Sequence, residues 1–488
     1  MLIPRSIHAS GSVQEEPAYA EFAGGSSRSG PVTWGQRAVW LTVDLFRSPQ
    51  AFVSLRRVLA VSPRADVDVP RALRALGALV SRHESLRTRV RLVDGELRQE
   101  AAGRGRLPVR VHAVADPAAD PDGRAAAELL TGQLGDPPFD HGTEWPLRAG
   151  LVTVDGRVRQ LVVVFSHSTV DFHATETVLR DLRMLVLRGS VPGPPGLQSL
   201  DVAEREQQTE RRRSDRSVAY WVRHFPTFTV GLFTPVPEPT GPRFRRGSLV
   251  SAAVYDAVRT IAARHGVSTS TVLLAATAAV TAALGGHDVC GIVTMANNRF
   301  PPRYDTAISK LNQFGICRID LSDRPDFTAL LPRAAQAALD AYRHAYYDPD
   351  ALAVAFAELG HDSHRMLAPF CYLNDIRLPH EPDRAHTGPD EATLRAAVAR
   401  SEFRWREELA GFVWRCRIQI VDAPGAVELV VTVDTGYLPA EQAERLLWSV
   451  EALLVEAALR PVPWPWSPAP AGGSSGRRPT PAAGPPGH

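Results

Sequence analysis

The stretch Ser166-His167-Ser168-Thr169-Val170-Asp171-Phe172 holds the residues best suited to chemistry. A tight turn after an apolar strand can project an imidazole, and an aspartate four residues on can turn back and brace that turn. Neutral imidazole titrates close to physiological pH, so it can accept the proton of an attacking nucleophile, or orient that nucleophile. Asp171 in such a pair holds the loop and does not take the proton. The spacing alone is a weak signal. His-x-x-x-Asp also occurs at His112/Asp116, His344/Asp348 and His386/Asp390, and fifteen histidines make chance matches expected. None of those three follows a comparable buried strand, whereas His167 follows one and precedes an amphipathic helix.

Other reactive side chains read more plainly as structure. Ser168 lies outside a G-x-S-x-G elbow and reads as a turn residue. His173, two residues past Asp171, starts the following helix and is a candidate to face a substrate. Phe370, Tyr372, Trp405 and Trp414 read as core aromatics. The four cysteines, Cys290, Cys317, Cys371 and Cys416, show no C-x-x-C or His-partnered metal spacing. Such sparse usage fits a reducing cytosol, with each thiol serving as a small buried hydrophobe. No phosphate-cradling or dinucleotide fingerprint appears, so no nucleotide cofactor and no metal are expected.

The elements that must position these residues alternate between strand and helix. Gln160–Phe165 is a nearly unbroken apolar run, which suits a strand buried on both faces. Before it, Val67 to Leu79 lead into a helix ending near Arg82. After it, Val178, Leu179, Leu182 and Leu185 recur at helical spacing up to Gly189. Residues 190–199 read as a linker, and residues 204–213 as one very polar helix with a solvated face. In the second half, Ser268 or Thr269 caps an Ala-rich helix through Leu284, ended by Gly285-Gly286. A strand over Val289–Thr294 leads to a loop at Asn297-Asn298-Arg299. Residues 380–400 read as a mobile loop, Glu428–Val433 as a late strand and Pro439–Leu459 as a closing helix.

A chain of 488 residues exceeds one compact core and suits two α/β lobes with a cleft between them. The expected division is a flexible segment over 1–30, a first lobe over 31–200, a second over 201–460 and a disordered Pro/Gly-rich tail over 461–488. Within that tail, Trp464 and Trp466 are candidates to pack on the body. Net charge is only +2, which recruits neither nucleic acid nor an anionic membrane. Lys310 is the only lysine, a skew attributable to a GC-rich genome. No signal peptide and no run of 18 apolar residues is present, so a cytoplasmic chain is expected.

Several stretches, in order, resemble condensation domains of nonribosomal peptide synthetases, within the chloramphenicol acetyltransferase-like acyltransferase superfamily. Ser166 to Phe172 is similar to their H-H-x-x-x-D-G motif. Thr33-Trp34-Gly35-Gln36-Arg37-Ala38-Val39-Trp40 resembles the opening S-x-A-Q-x-R-L-W segment, and Arg82-His83-Glu84-Ser85-Leu86-Arg87-Thr88 the R-H-E-x-L-R-T segment. Pro138-Phe139-Asp140 with Pro146-Leu147-Arg148, then Ala219-Tyr220-Trp221, and loosely Asn312-Gln313-Phe314 to Asp320, match further stretches.

The resemblance implies two chloramphenicol acetyltransferase-like lobes forming a V-shaped pseudo-dimer around a central tunnel. Donor and acceptor arrive there on phosphopantetheine arms of acyl or peptidyl carrier proteins. It implies that His167 is catalytic and that Asp171 is structural, with Arg299 its candidate cation. It makes Ser166 a brace in place of the motif's first histidine, and His83 a residue that holds the fold. Phe172 stands where the motif has glycine, and with His173 is a candidate to line the tunnel. The implied activity is that of a free-standing condensation enzyme, joining a carrier-bound acyl or aminoacyl thioester to an amine in specialised-metabolite biosynthesis. No adenylation or carrier module is read in the chain, no cofactor is expected to be bound, and a monomer suffices. Two alternatives stay open: an ester-forming O-acyltransferase acting on an alcohol, and an inactive module that docks a carrier or recruits a partner.

Overall fold

The computed structural model describes residues 18–46, 54–228, 232–237, 241–299, 304–361, 367–377 and 386–466. They fall into two units. The first comprises residues up to Arg216 with Asn297–Gln313 and Tyr347–Ala351; the second comprises Ser217–Ala296, Phe314–Tyr346 and the residues from Leu352 on.

The first unit runs β1 (Ala18–Ala23), β2 (Arg28–Pro31), α1 (Trp34–Phe46), β3 (Ser54–Ala60), α2 (Val69–Arg82), β4 (Thr88–Val93), β5 (Glu96–Ala101) and β6 (Arg104–Ala113). It continues through α3 (Arg124–Gly135), β7 (Leu147–Val154), β8 (Arg157–Ser166), α4 (Phe172–Arg188) and α5 (Ser199–Gln207) to the start of α6 (Arg211–His224). Five strands form a sheet in the order β1-β6-β7-β8-β3, and β2-β5-β4 form a smaller one. Strand β8 explains its own composition. Leu161, Val163 and Phe165 join a core with α2 and α4, while Val162 and Val164 join another with Ala127, Leu130 and Leu134 of α3. A strand covered on both faces needs apolar side chains at successive positions, so the period-2 alternation disappears.

The second unit carries the rest of α6, then β9 (Phe244–Ser251), α7 (Ala252–His265), α8 (Thr269–Gly285), β10 (Val289–Ala296), β11 (Gln313–Asp320), α9 (Phe327–Arg343) and α10 (Pro349–Glu358). There follow β12 (Cys371–Asp375), α11 (Glu391–Val398), β13 (Glu402–Leu409), β14 (Cys416–Ala423), β15 (Ala426–Asp434) and α12 (Ala440–Leu459). Its sheet has the order β11-β10-β12-β14-β15-β9-β13. Ser268 caps α8, its hydroxyl accepting from the Thr271 amide at 3.1 Å, and Gly286 ends the helix at φ +66°. The four cysteines are free and buried. Among the described residues no single helix is long and apolar enough to cross a membrane.

Several expectations change. Ala18–Ala23 and Arg28–Pro31, expected to be flexible, are strands, because Ala20 and Phe22 are buried in the first unit's core and β1 pairs with β6. The polar stretch over 204–213 is two helices with a break at 208–210. Within 380–400, Glu391–Val398 is a helix: the Asp390 side chain caps it and Leu394 and Ala397 are buried. Residues 1–17, 378–385 and 467–488 lie outside the described residues. The tail's opening is ordered, with Trp466 buried in the second unit's core and Trp464 packed against it. The first unit does not stop at residue 200, and it takes in Asn297–Gln313, a segment expected in the second lobe.

Candidate active site

Strand β8 delivers Ser166 to a turn in which the Thr169 amide donates to the Ser166 carbonyl at 3.3 Å. Val170 anchors the turn, buried in the core shared by α2 and α4. Asp171 then caps α4, its Oδ1 accepting from the Ala174 amide at 2.9 Å. Four residues thus carry His167 between two fixed points, a strand end and a helix cap.

The His167 ring is partly buried. Its Nδ1 lies 2.8 Å from the Val170 carbonyl oxygen. A carbonyl can only accept, so Nδ1 carries the hydrogen and Nε2 of the neutral ring keeps its lone pair. Burial lowers the His167 pKa, the Lys310 charge lowers it further, and the Val170 bond and Asp171 oppose them, leaving it at about 4. The imidazole is therefore uncharged at physiological pH.

Asp171 is almost wholly inside, where a carboxylate needs partners. Its Oδ2 accepts from Arg299 Nη1 at 2.8 Å and from the backbone amides of Leu311 at 3.0 Å and Asn312 at 3.3 Å. Burial alone would raise its pKa; the Arg299 guanidinium and the amides hold it at about 2. Arg299 is equally buried and also donates to the carbonyls of Asn297, Ala307 and Ser309. The structure brings Asp171 and Arg299 together as the resemblance implied.

Ser166 does brace the turn, through a partner that the sequence did not single out. Its Oγ lies 2.7 Å from Ser168 Oγ, and both hydroxyls lie 3.2 Å from Nδ1 of His141. Burial lowers the His141 pKa to about 4, with Glu144 and Asp140 opposing. No spacing rule links position 141 to 166; the adjacency arises because the chain before β7 runs beside the end of β8, where the Ser166 amide donates to the Pro146 carbonyl at 2.9 Å.

Phe172 occupies the first helical position of α4 and is absent from the residues with positive φ. Its backbone needs no glycine freedom. The ring lies under the Arg57 guanidinium, 4.6 Å from its centroid, and Arg57 Nε donates to Glu176 at 3.2 Å. His173 is exposed, with Nε2 3.3 Å from the Asp305 carbonyl oxygen. His83 is buried and its Nε2 lies 3.0 Å from Asp181 Oδ2. Among the described residues no three of His, Cys, Asp and Glu gather as they would around a metal ion.

A family model of the condensation domain matches residues 27–379. The chain belongs to the condensation domain family. Its curated relatives include the probable non-canonical nonribosomal peptide synthetase CymA of Salinispora arenicola, 30% identical over 67% of this chain. The isonitrile lipopeptide synthase of Mycobacterium tuberculosis is 28% identical over 64% of it. The aligned part is only 4% of the former and 13% of the latter. Among solved structures, the condensation domain of the monacolin K polyketide synthase MokA aligns with a TM-score of 0.68 at 19% identity, covering 90% of this chain and 99% of that one. SgcC5 of Streptomyces globisporus aligns at 0.66 and 20% identity, covering 89% and 100%. This condensation domain therefore has the chloramphenicol acetyltransferase-like fold.

Proposed function

We propose that this condensation domain catalyses amide formation between an acyl or aminoacyl thioester, carried on the phosphopantetheine of a separate carrier protein, and an amine. The acceptor nitrogen attacks the thioester carbonyl, the C–N bond forms and the C–S bond breaks. The proton lost by nitrogen ends on the departing thiolate, with Nε2 of His167 holding it or orienting the N–H along the way. The observation that supports this reading best is the fixed tautomer of His167. Its Nδ1 is committed to Val170, so the uncharged ring presents an acceptor at Nε2. Asp171 and Arg299 act as positioning residues that hold the turn, and neither takes the proton.

The retained network of His167, Asp171 and Arg299 argues against a purely docking role. The test is an intact-mass assay with acyl-loaded carrier proteins and a panel of amine and alcohol acceptors, comparing the native chain with His167→Ala. Amide product that falls by roughly 10²- to 10⁴-fold in the variant supports the proposal. Ester product alone would assign an O-acyltransferase. Carrier binding without product from any acceptor would assign a docking module.

A further inference from the structure

Arg417 of β14 is half-buried, and strand register fixes its surroundings. It pairs with Tyr372 of β12 and with Thr432 of β15, and Thr432 pairs with Arg246 of β9. Residues paired across strands share a face, so these four form a row on one side of the second unit's sheet. The other side, with Cys416, Ile418, Leu429 and Val431, is the one that the helices bury. Among the described residues Arg417 enters no ion pair and no hydrogen bond, and its Nε is enclosed without an acceptor. Neighbouring acids are matched elsewhere: Glu407 pairs with Arg246, and Glu428 with Arg406 at 3.4 Å. Thr432 Oγ1 is taken as well, accepting from Arg246 Nε at 3.3 Å. Tyr372 supplies no negative charge, because burial pushes its phenol up and keeps it protonated.

Tyr372 joins this cation to an aromatic wall. Its ring lies 4.9 Å from that of Trp414, centroid to centroid, and Phe314 meets the two at 5.4 and 5.3 Å. The Arg417 guanidinium itself lies 5.1 Å from the Phe412 centroid. A ring face attracts a cation but offers the planar fork neither a full charge nor an acceptor oxygen. Burial lowers the Arg417 pKa, with Tyr372 opposing and Arg246 assisting, yet an arginine stays charged at physiological pH. We infer that Arg417, with the wall of Phe314, Tyr372 and Trp414, forms an anion-binding site on the second unit, for a carboxylate or phosphate carried on an apolar or aromatic body. The oxyanion meets the guanidinium with charge-assisted N–H···O bonds, and the rings pack against the body. The site is independent of the proton-acceptor role proposed for His167.

The test needs no turnover. The full chain is titrated calorimetrically with two pairs of probes: 2-naphthoate against its uncharged amide, and 4′-phosphopantetheine against pantetheine. In at least one pair the anion should bind the native chain tighter than its neutral counterpart by roughly 10- to 100-fold, and Arg417→Gln should abolish that difference. Preference for naphthoate alone assigns the site to a carboxylate on the substrate; preference for phosphopantetheine alone assigns it to the phosphate of a carrier arm. Arg417→Lys should keep part of the preference, since it retains charge without the fork. Trp414→Leu should weaken naphthoate and its amide alike. Failure of the native chain to prefer either anion overturns the inference, as does a preference that survives in folded Arg417→Gln. If that variant does not fold, the native preference and its reduction in Arg417→Lys decide. Absence of acyl transfer with every acceptor would count against the proposed function and leave these titrations unaffected.

Discussion

The carboxylate of Asp171 meets the guanidinium of Arg299 at 2.8 Å, with both side chains at most 2% exposed. Two charges so deeply buried are costly to bring together, and more costly to separate. The pair takes a helix cap on one side and a loop on the other, so its loss loosens the turn that carries His167.

Removing either partner strands the other charge. Asp171→Ala and Arg299→Ala should each lower stability by about 3–5 kcal/mol, read as a reduced midpoint in urea or guanidinium unfolding. Arg299→Lys should recover part of this, because it restores charge without the fork that also reaches Asn297, Ala307 and Ser309. Full stability in Arg299→Ala would mean that the Leu311 and Asn312 amides suffice to hold the carboxylate.

The same pair sets an acid sensitivity. The folded pKa of Asp171, about 2, lies below the ordinary 3.8. A depressed carboxylate contributes stability that is complete above the unfolded value and is lost as pH falls through the folded one. The window is thus roughly pH 4 down to 2, and the contribution about 2–3 kcal/mol. Asp171→Asn should flatten the stability curve across that window in denaturation measured at successive pH values. An unchanged slope would mean that other carboxylates carry the acid response.

The brace of Ser166, Ser168 and His141 makes a graded prediction. Ser166→Ala removes contacts to Ser168 and His141, and His141→Ala removes the shared nitrogen. Each should cost about 1–2 kcal/mol. Each should also slow acyl transfer less than His167→Ala does, because the Val170 and Asp171 anchors remain. A loss equal to that of His167→Ala would assign the brace a direct part in the reaction.

Phe172→Gly tests whether the ring is structural. Losing the Arg57 contact and placing glycine in the first helical turn should together cost about 1–2 kcal/mol, seen as a lower thermal midpoint. Acyl transfer should persist, since Phe172 sits in ordinary helical backbone. Transfer that improves selectively for bulky acceptors would show that the ring also limits access.

Local pattern made much of this molecule legible. The apolar run of β8, the capped helix α8 and the glycine end of α4 follow from burial and capping, which act over a few residues. The Asp171–Arg299 pair was legible only through family resemblance, because nothing in the spacing of positions 171 and 299 brings them together. His141 was missed for a related reason: its partners lie across a chain crossing, and an isolated histidine on a polar loop carries no periodic signal. Lys310 stood out by composition, yet the burial of its ammonium against Asn312 depends on the Leu311 and Asn312 segment docking on Asp171. The helix Glu391–Val398 was missed because its buried face consists of only Leu394 and Ala397, too narrow a stripe to stand out among charged neighbours.

The excursion Asn297–Gln313, which packs with the first unit, also bears on how the protein is made. Asp171 and Arg299 are 128 residues apart in the chain. During synthesis the His167 turn emerges long before the cation that neutralises its aspartate, and closing so distant a contact carries a loop-entropy cost. The turn should therefore stay loosely organised on the ribosome until Arg299 and the Leu311 and Asn312 amides have been added. A nascent chain halted before Asn297 should expose it to protease, and one extended past Gln313 should protect it. Maturation of the site would then be a late event in biogenesis, timed by translation of the second half.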